Sequence, residues 1–169
     1  NFLGNVFSQF VKVSSEIRYD YLLKKNHHLV GRLLVGAIYG YGNAENHSTP
    51  YSEQFYIGGA NSIRAFTIRS IGPGRFVPNP DNKYGYIDQT GDLKLEANLE
   101  YRFPIFGDLH GAAFLDAGNI WLIHEDPNRP GAQLKWGSFI KDLALGTGVG
   151  VRYDLDFIVV RVDCGIGLH

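Results

Sequence analysis

The chain has 169 residues, enough for one domain with a sizeable core, and its 16 Lys plus Arg against 17 Asp plus Glu leave a net charge of −1. That balance excludes nucleic acid as an expected partner, and the single cysteine, Cys164, excludes an internal disulfide. An aromatic content of 14%, with Tyr, Phe and Gly abundant, favours an all-β architecture.

No His/Cys cluster has metal-ligand spacing, so neither a metal nor another cofactor is expected. Residues 1–7 lack a basic stretch followed by an apolar run, and the chain contains no Met. No segment approaches the ~18 uninterrupted apolar residues of a membrane-spanning helix. Two expectations follow: a soluble β-protein, or an internal piece of a barrel whose targeting segment lies upstream.

Alternation begins at residues 11–21, where Lys12, Ser14, Glu16, Arg18 and Asp20 share one face and Val11, Val13, Ile17, Tyr19 and Tyr21 the other. A polar turn is expected at 23–28, L-K-K-N-H-H. The second strand, 29–41, has Leu33, Val35, Ala37, Tyr39 and Tyr41 on one face and a mixed set, Arg32, Leu34, Gly36, Ile38 and Gly40, on the other. From 42 to 92 regular alternation fails, and Pro50, Pro73, Pro78 and Pro80 accompany several glycines. A loop of that length is usually functional or disordered. Disorder fits poorly, because Phe55, Ile57, Ile63, Phe66, Ile71, Phe76, Tyr84 and Tyr86 need something to pack against. Within it, residues 55–66 read F-Y-I-G-G-A-N-S-I-R-A-F, with Arg64 as the single charge.

The cleanest strand is 93–103, with Leu93, Leu95, Ala97, Leu99, Tyr101 and Phe103 alternating against Lys94, Glu96, Asn98, Glu100 and Arg102. A turn at 104–108 leads to a strand at 109–121, and a Pro/Gly/Asn loop occupies 123–141. A fifth strand, 143–153, carries Gly146, Gly148, Gly150 and Arg152 on one face, and a sixth covers 157–168.

Strand length separates the two expectations. Eleven residues at ~3.3 Å, tilted by about 40°, span roughly 28 Å along the membrane normal, close to the apolar band of a transmembrane barrel. With antiparallel strands and the 42–92 loop outside, Tyr19, Tyr21, Tyr101, Phe103 and Tyr153 fall at the inner rim of the apolar face, and Tyr39, Tyr41 and Trp121 at the outer rim. A soluble sandwich or lipocalin-like barrel explains the alternation but neither the length nor the girdles. Six strands do not close a membrane barrel, so the expectation is a segment of a larger one.

Lumen-facing positions are then Glu96, Asn98, Glu100, His110, Phe114, Asp116, Gly118, Arg161 and Asp163. The residues leave two readings of Arg64 open. It enters the lumen and binds Asp116 and Glu100 through paired hydrogen bonds, or it is solvated while Asp116 lines a wet pore. Gly146, Gly148 and Gly150, with Gly165 and Gly167 on the next strand, leave the wall nearly bare, a pattern that marks close approach by another backbone or a bend; a tucked loop would use that space. A phosphate-cradling reading of G-T-G-V-G is poor, because no helix follows it. His110 and Asp116 share the lumen face, but no serine completes a hydrolase set. Cys164 has lipid-facing parity and reads as a small apolar filler. The sequon Asn46-His47-Ser48 is a chance match in a bacterial source.

Taken together, these ordered motifs resemble the C-terminal barrel of the BamA/TamA superfamily of bacterial outer-membrane assembly factors, also called the bacterial surface antigen family. The 55–66 stretch resembles that family's F-x-x-G-G-x-x-S-[VI]-R-G-[FY] loop, and I-G-P-G at 71–74 follows as in relatives. N-L-E-Y-R-F-P at 98–104, F-L-D-A-G-N-I-W at 114–121 and T-G-V-G-V-R-Y at 147–153 resemble its later strands. The resemblance implies a partial antiparallel transmembrane β-barrel, strands ten to fifteen of sixteen, with periplasmic domains and the closing strand outside this segment.

It also implies a functional loop motif of Gly58, Gly59, Ser62, Ile63, Arg64, Ala65 and Phe66. Arg64 would be the pin, Glu100 and Asp116 its lumen partners, and Phe114, Gly118, Gly146, Gly148 and Gly150 the supporting positions. One departure stands out: relatives have glycine where this chain has Ala65, which would be strained if the turn needs positive φ. The implied function is non-enzymatic assembly and insertion of outer-membrane proteins. The implied partners are outer-membrane lipid, client β-barrel proteins and periplasmic or lipoprotein accessory subunits. A polypeptide transporter of the two-partner secretion type, and a barrel fused to a lipase-type enzyme, are the alternatives.

Overall fold

The structure, a computed structural model, describes residues 8–42, 49–78, 89–155 and 157–168. Pro80, Tyr84 and Tyr86, the Asn46-His47-Ser48 sequon and His169 lie outside the described residues. Six strands form one antiparallel sheet in chain order: β1 Gln9–Lys24, β2 His27–Tyr41, β3 Leu93–Phe106, β4 Leu109–Trp121, β5 Ala144–Asp154 and β6 Val159–Gly167. No described helix is long and apolar enough to cross a membrane, which says nothing of strands.

The expected turns are tighter than their polar composition implied. Lys24 pairs with His27 and Leu22 with His28, so the 23–28 turn shrinks to two residues, with Asn26 at φ 62°. Likewise β3 runs through Pro104 to Phe106, and the turn is reduced to Gly107 (φ 50°) and Asp108. Pro104 has no N–H to give the ladder, and it sits where the β3–β4 register shifts, the position a strand proline tolerates.

Burial in this sheet is inverted relative to a soluble protein. The odd-numbered face of β1 to β5 and the even-numbered face of β6 expose Val13, Ile17, Leu33, Val35, Leu99, Leu115, Val149, Val162 and Ile166. The opposite face buries Glu96, Glu100, Asp116 and Arg152. A continuous apolar surface on that scale exceeds what water-soluble monomers expose, and it suits a hydrocarbon environment. Exposed Tyr19, Tyr21, Tyr101 and Tyr153 rim one edge of it, and Tyr39 and Tyr41 the other.

Trp121 departs from the expected outer girdle, being 2% exposed. The β4–β5 pairing stops at Gly118 opposite Ala144. Beyond it β3 still pairs with β4 as far as Trp121, while loop backbone takes the flank that β5 leaves and closes over the end of the strand. Gly74 N–H donates to Ile120 O at 2.7 Å, Asp92 N–H to Trp121 O at 2.8 Å, and Leu122 N–H to Ala132 O at 2.9 Å. The rim at that point is wrapped by loop segments.

The described part of the long segment between β2 and β3 folds back over the polar face. Phe55 and Gly91 exchange both backbone hydrogen bonds at 2.9 Å, closing its base. Residues 57–69 form an inner excursion, tied by Gly59 N–H to Phe66 O and Arg69 N–H to Ile57 O, each at 2.9 Å. A small apolar cluster of Ile57, Ile63, Ile71, Ile120 and Ala144, flanked by Phe55 and Phe66, seats it on the sheet. The second loop, between β4 and β5, ends in a 3₁₀ turn at Phe139–Asp142. Asn119, 1% exposed, donates to both Gly74 O and Asp142 O and so joins the two loops. In the same second loop, hydrogen bonds from the Arg129 side chain and the Asn128 N–H hold the Asp126 carboxyl below its ordinary value.

Candidate functional site

Side chains that face inward on adjacent strands line up in rows fixed by the register. Asn98 lies opposite Asp116, and Asp116 opposite Gly146, which faces Gly167. The next row holds Glu100, Phe114, Gly148 and Gly165. Acids therefore sit on β3 and β4, and bare backbone on β5 and β6. An incoming cationic segment finds charge on one side and space on the other.

Arg64 occupies this position. Its Nε donates to Asp116 Oδ2 at 2.9 Å and its Nη2 to Asp116 Oδ1 at 2.8 Å, a two-pronged contact. Its Nη1 donates to Glu100 Oε2, and its own backbone N–H to Asp116 Oδ2 at 3.0 Å. The guanidinium lies 3.6 Å from the centre of the Phe114 ring. Arg64, Glu100 and Asp116 side chains are 7%, 9% and 0% exposed, so these bonds are made out of water. Charge-assisted bonds in that setting are strong only when every partner is satisfied. Satisfaction is extensive. Asn98 Nδ2 donates to Asp116 Oδ1 at 2.9 Å, and Glu100 also accepts from Arg102 Nε at 2.7 Å and Arg152 Nη2 at 3.1 Å.

Ser62 makes a second attachment. Its Oγ donates to Glu96 Oε2 at 2.7 Å and accepts from Gly58 N–H at 3.0 Å, while its carbonyl accepts from Asn98 Nδ2 at 2.7 Å. Glu96 is fully buried and paired with Arg32 at 2.7 Å and Lys94 at 3.0 Å. Ile63 is fully buried beside it. Gly58 and Gly59 adopt φ 102° and 94°, which only glycine takes without strain, and let the chain reverse into the excursion.

The supporting glycines make room for particular groups. A Cβ on Gly146 would lie 2.7 Å from the Ala65 Cβ, one on Gly118 2.6 Å from Ile57 Cδ1, and one on Gly148 2.5 Å from the Phe114 ring. A Cβ on Gly150 would meet Arg152 Nη1 at 2.6 Å, where that arginine turns to Asp163. Gly165 and Gly167 leave the same kind of space under Ala65 and Phe66. Among described non-glycine residues, only Asn26 and Arg69 have positive φ, so Ala65 carries none of the strain its departure from the motif raised.

The structure thus gathers Ser62, Ile63, Arg64, Ala65, Phe66, Glu100, Phe114, Asp116, Gly146 and Gly148 at one place, with Gly58, Gly59 and Gly118 shaping its approach. His110 stands apart, two rows further along β4 from Phe114 and opposite Arg152. Two arginines that the residue reading left without a role also belong: Arg32 on β2 and Arg152 on β5. Their signal was parity, since each sits on the same face as the acids it meets. Among the described residues no group of three His, Cys, Asp or Glu side chains could hold a metal ion.

A model of the Omp85 superfamily domain matches residues 2–169. The outer membrane protein assembly factor BamA of Nitratidesulfovibrio vulgaris is 31% identical over 148 residues, covering 82% of this chain and 17% of that protein. BamA of Neisseria meningitidis serogroup B is 31% identical over 93 residues, covering 52% and 11%. The chloroplastic outer envelope protein 80 of Arabidopsis thaliana is 31% identical over 115 residues, covering 66% and 12%. This chain therefore spans 17% or less of the length of these relatives. Its inverted sheet is part of an antiparallel transmembrane β-barrel of the bacterial outer membrane. The chain belongs to the Omp85 superfamily.

Proposed function

We propose that the full-length protein is a non-enzymatic assembly factor that helps other outer-membrane β-barrels fold and insert. Residues 42–92 act as an extracellular loop returned into the lumen, and Arg64 is the pin that holds it against the wall. The observation that carries this reading is the Arg64 guanidinium, with every one of its nitrogens on Asp116 or Glu100 in a buried setting. A pinned loop braces the wall. Client strands then add by backbone hydrogen bonding at a sheet edge elsewhere in the barrel, the general way an unpaired edge recruits another strand. Clients are outer-membrane β-barrel proteins, served together with periplasmic or lipoprotein subunits. The two BamA relatives and the family match support the assembly role.

Insertion of a radiolabelled client barrel by reconstituted full-length protein tests this. Arg64→Ala should lower the insertion rate while the protein itself still reaches the membrane. Wild-type insertion by an Arg64→Ala protein whose loop has become accessible to protease would sink the proposal.

A further inference from the structure

Arginine stays charged and carries five N–H donors, so a cavity whose lining holds more guanidinium than carboxylate is suited to bind an anion. Beneath the loop turn at Ala60 and Asn61 lies a cavity of about 400 Å³ on the lumen face. It is lined by Arg18, Arg32, Arg64, Arg102 and Arg161, with Glu100 as its one carboxylate among the described residues. Glu100 is already shared by Arg64, Arg102 and Arg152.

Register makes the surplus sharper. Arg18 lies directly opposite Arg32, and Arg152 directly opposite Arg161. Like charges facing each other across a strand pair are destabilising unless something neutralises them. Among the described residues, Glu16 is the one carboxylate bound to Arg18 and also serves Arg32, while Asp163 serves both Arg152 and Arg161. Among the described residues, the terminal nitrogens of Arg18 and Arg102 have no acceptor, nor has Arg161 Nη1. Arg18, Arg102 and Arg161, each with one carboxylate partner and with side chains 73%, 43% and 38% exposed, line the cavity with further nitrogens open to solvent and free to take an anion.

A polypeptide carboxylate suits this setting better than a lipid headgroup. The barrel wall stands between this cavity and lipid. Two of its arginines already hold oxygens of the loop: Arg32 Nη1 donates to the Asn61 carbonyl at 2.9 Å, and Arg161 Nη2 to the Ala60 carbonyl at 2.8 Å and to the Asn61 side-chain oxygen at 2.9 Å. The remaining donors are set to take side-chain carboxylates beside that turn. We propose that this cavity binds an acidic segment of a polypeptide entering the lumen next to the docked loop. The site rests on the loop geometry and on the charge count, not on the assembly reading.

Binding of fluorescein-labelled hexaglutamate to the full-length protein in nanodiscs of uncharged lipid tests it, with hexaglutamine as the neutral control. Hexaglutamate should bind about tenfold or more tighter than hexaglutamine, and the difference should fade as salt rises. Arg18→Gln/Arg102→Gln should weaken hexaglutamate about tenfold or more, whereas Lys25→Gln, in the β1–β2 turn, should not. Among the described residues, Arg18→Gln alone removes a contact with Glu16 and leaves the Arg64 contacts in place. It should still weaken binding several-fold, which separates loss of the site from loss of the loop. A photoreactive hexaglutamate should label the tryptic peptide containing Val30, which lines the cavity. Equal binding of the two peptides, or unchanged affinity in the double variant, would overturn the proposal. So would binding of inorganic phosphate without binding of hexaglutamate. Client insertion is not read in this assay, so the assembly reading stands or falls separately.

Discussion

Adding one methyl group to the inner wall at Gly146 should dislodge the loop, and removing one from the loop should restore it. In Gly146→Ala the new Cβ would lie 2.7 Å from the Ala65 Cβ, against 3.4 Å from Ile63 Cγ2 and 3.7 Å from the Ala65 nitrogen. Only the first contact is impossible, since unbonded carbons rest at about 3.5–4.0 Å. Either the loop tip retreats by close to 1 Å, which loosens the Arg64 bonds, or the β5 backbone shifts. Overpacking of this kind costs about 1–3 kcal/mol. Ala65→Gly deletes the clashing atom and leaves the other two contacts within reach of small adjustments. The Gly146→Ala/Ala65→Gly double variant should therefore recover most of the loss, a coupling of about 1–3 kcal/mol between residues in contact. Full-length protein in detergent, heated in steps and followed by the mobility change between folded and unfolded barrel, gives the four transition temperatures. Gly146→Ala should fall clearly below wild type and the double variant should return toward it. Simple additivity of the two substitutions, or a Gly146→Ala protein as heat-resistant as wild type, would refute the packing argument.

Further outcomes follow from the same geometry. Ser62→Ala removes a hydrogen bond to the buried Glu96 carboxylate but leaves its Arg32 and Lys94 partners, so the barrel transition should drop by the equivalent of about 1.5–3 kcal/mol. Val149→Arg places a charge on the exposed apolar face of β5 and should cost about 2–4 kcal/mol in bilayers, read as reduced folded yield in liposome refolding. Asp126 titrates below its ordinary value of 3.8 because Arg129 and the Asn128 N–H favour its charged form. Its contribution to the second loop is therefore present above pH 3.8 and lost as pH falls through the lowered value. Arg129→Ala should move the carbonyl-carbon NMR titration of Asp126 back up toward 3.8, with a stability effect no larger than about 1 kcal/mol after solvent screening.

Much of the sheet can be read from alternation alone, because a strand with one face in lipid and one in a lumen repeats every two residues. β4 begins and ends at the residues its pattern indicates, Leu109 and Trp121. Turn lengths were less legible, since L-K-K-N-H-H and P-I-F-G-D look polar or broken while their outer residues still complete the ladder. Trp121 shows a different limit. Its parity places it outward, but loop backbone closing around the end of β4 buries it, and no local pattern reports a contact with residues so distant in the chain. The site was legible in kind. A lone arginine, acids of one parity and a glycine stripe announce a cation and a space, yet not which groups share them. Arg32 and Arg152 were missed because register, fixed by the whole sheet, decides which carboxylate each long side chain reaches. The Ala65 question needed a backbone angle, which the identity of one residue does not supply.

If Arg64 holds its segment against the inner wall, a cross-link between that segment and the wall reads the contact directly. A Cβ on Gly165 would lie 3.4 Å from the Ala65 Cβ and 3.1 Å from the Ala65 Cα, so a shift of a few tenths of an ångström brings the pair into the ~3.5–4.5 Å that a disulfide spans. In full-length protein carrying Cys164→Ala, the pair Ala65→Cys and Gly165→Cys should oxidise to a disulfide in isolated outer membranes. Adding Arg64→Ala should largely abolish the cross-link. A disulfide that forms as readily without Arg64 as with it would contradict the account.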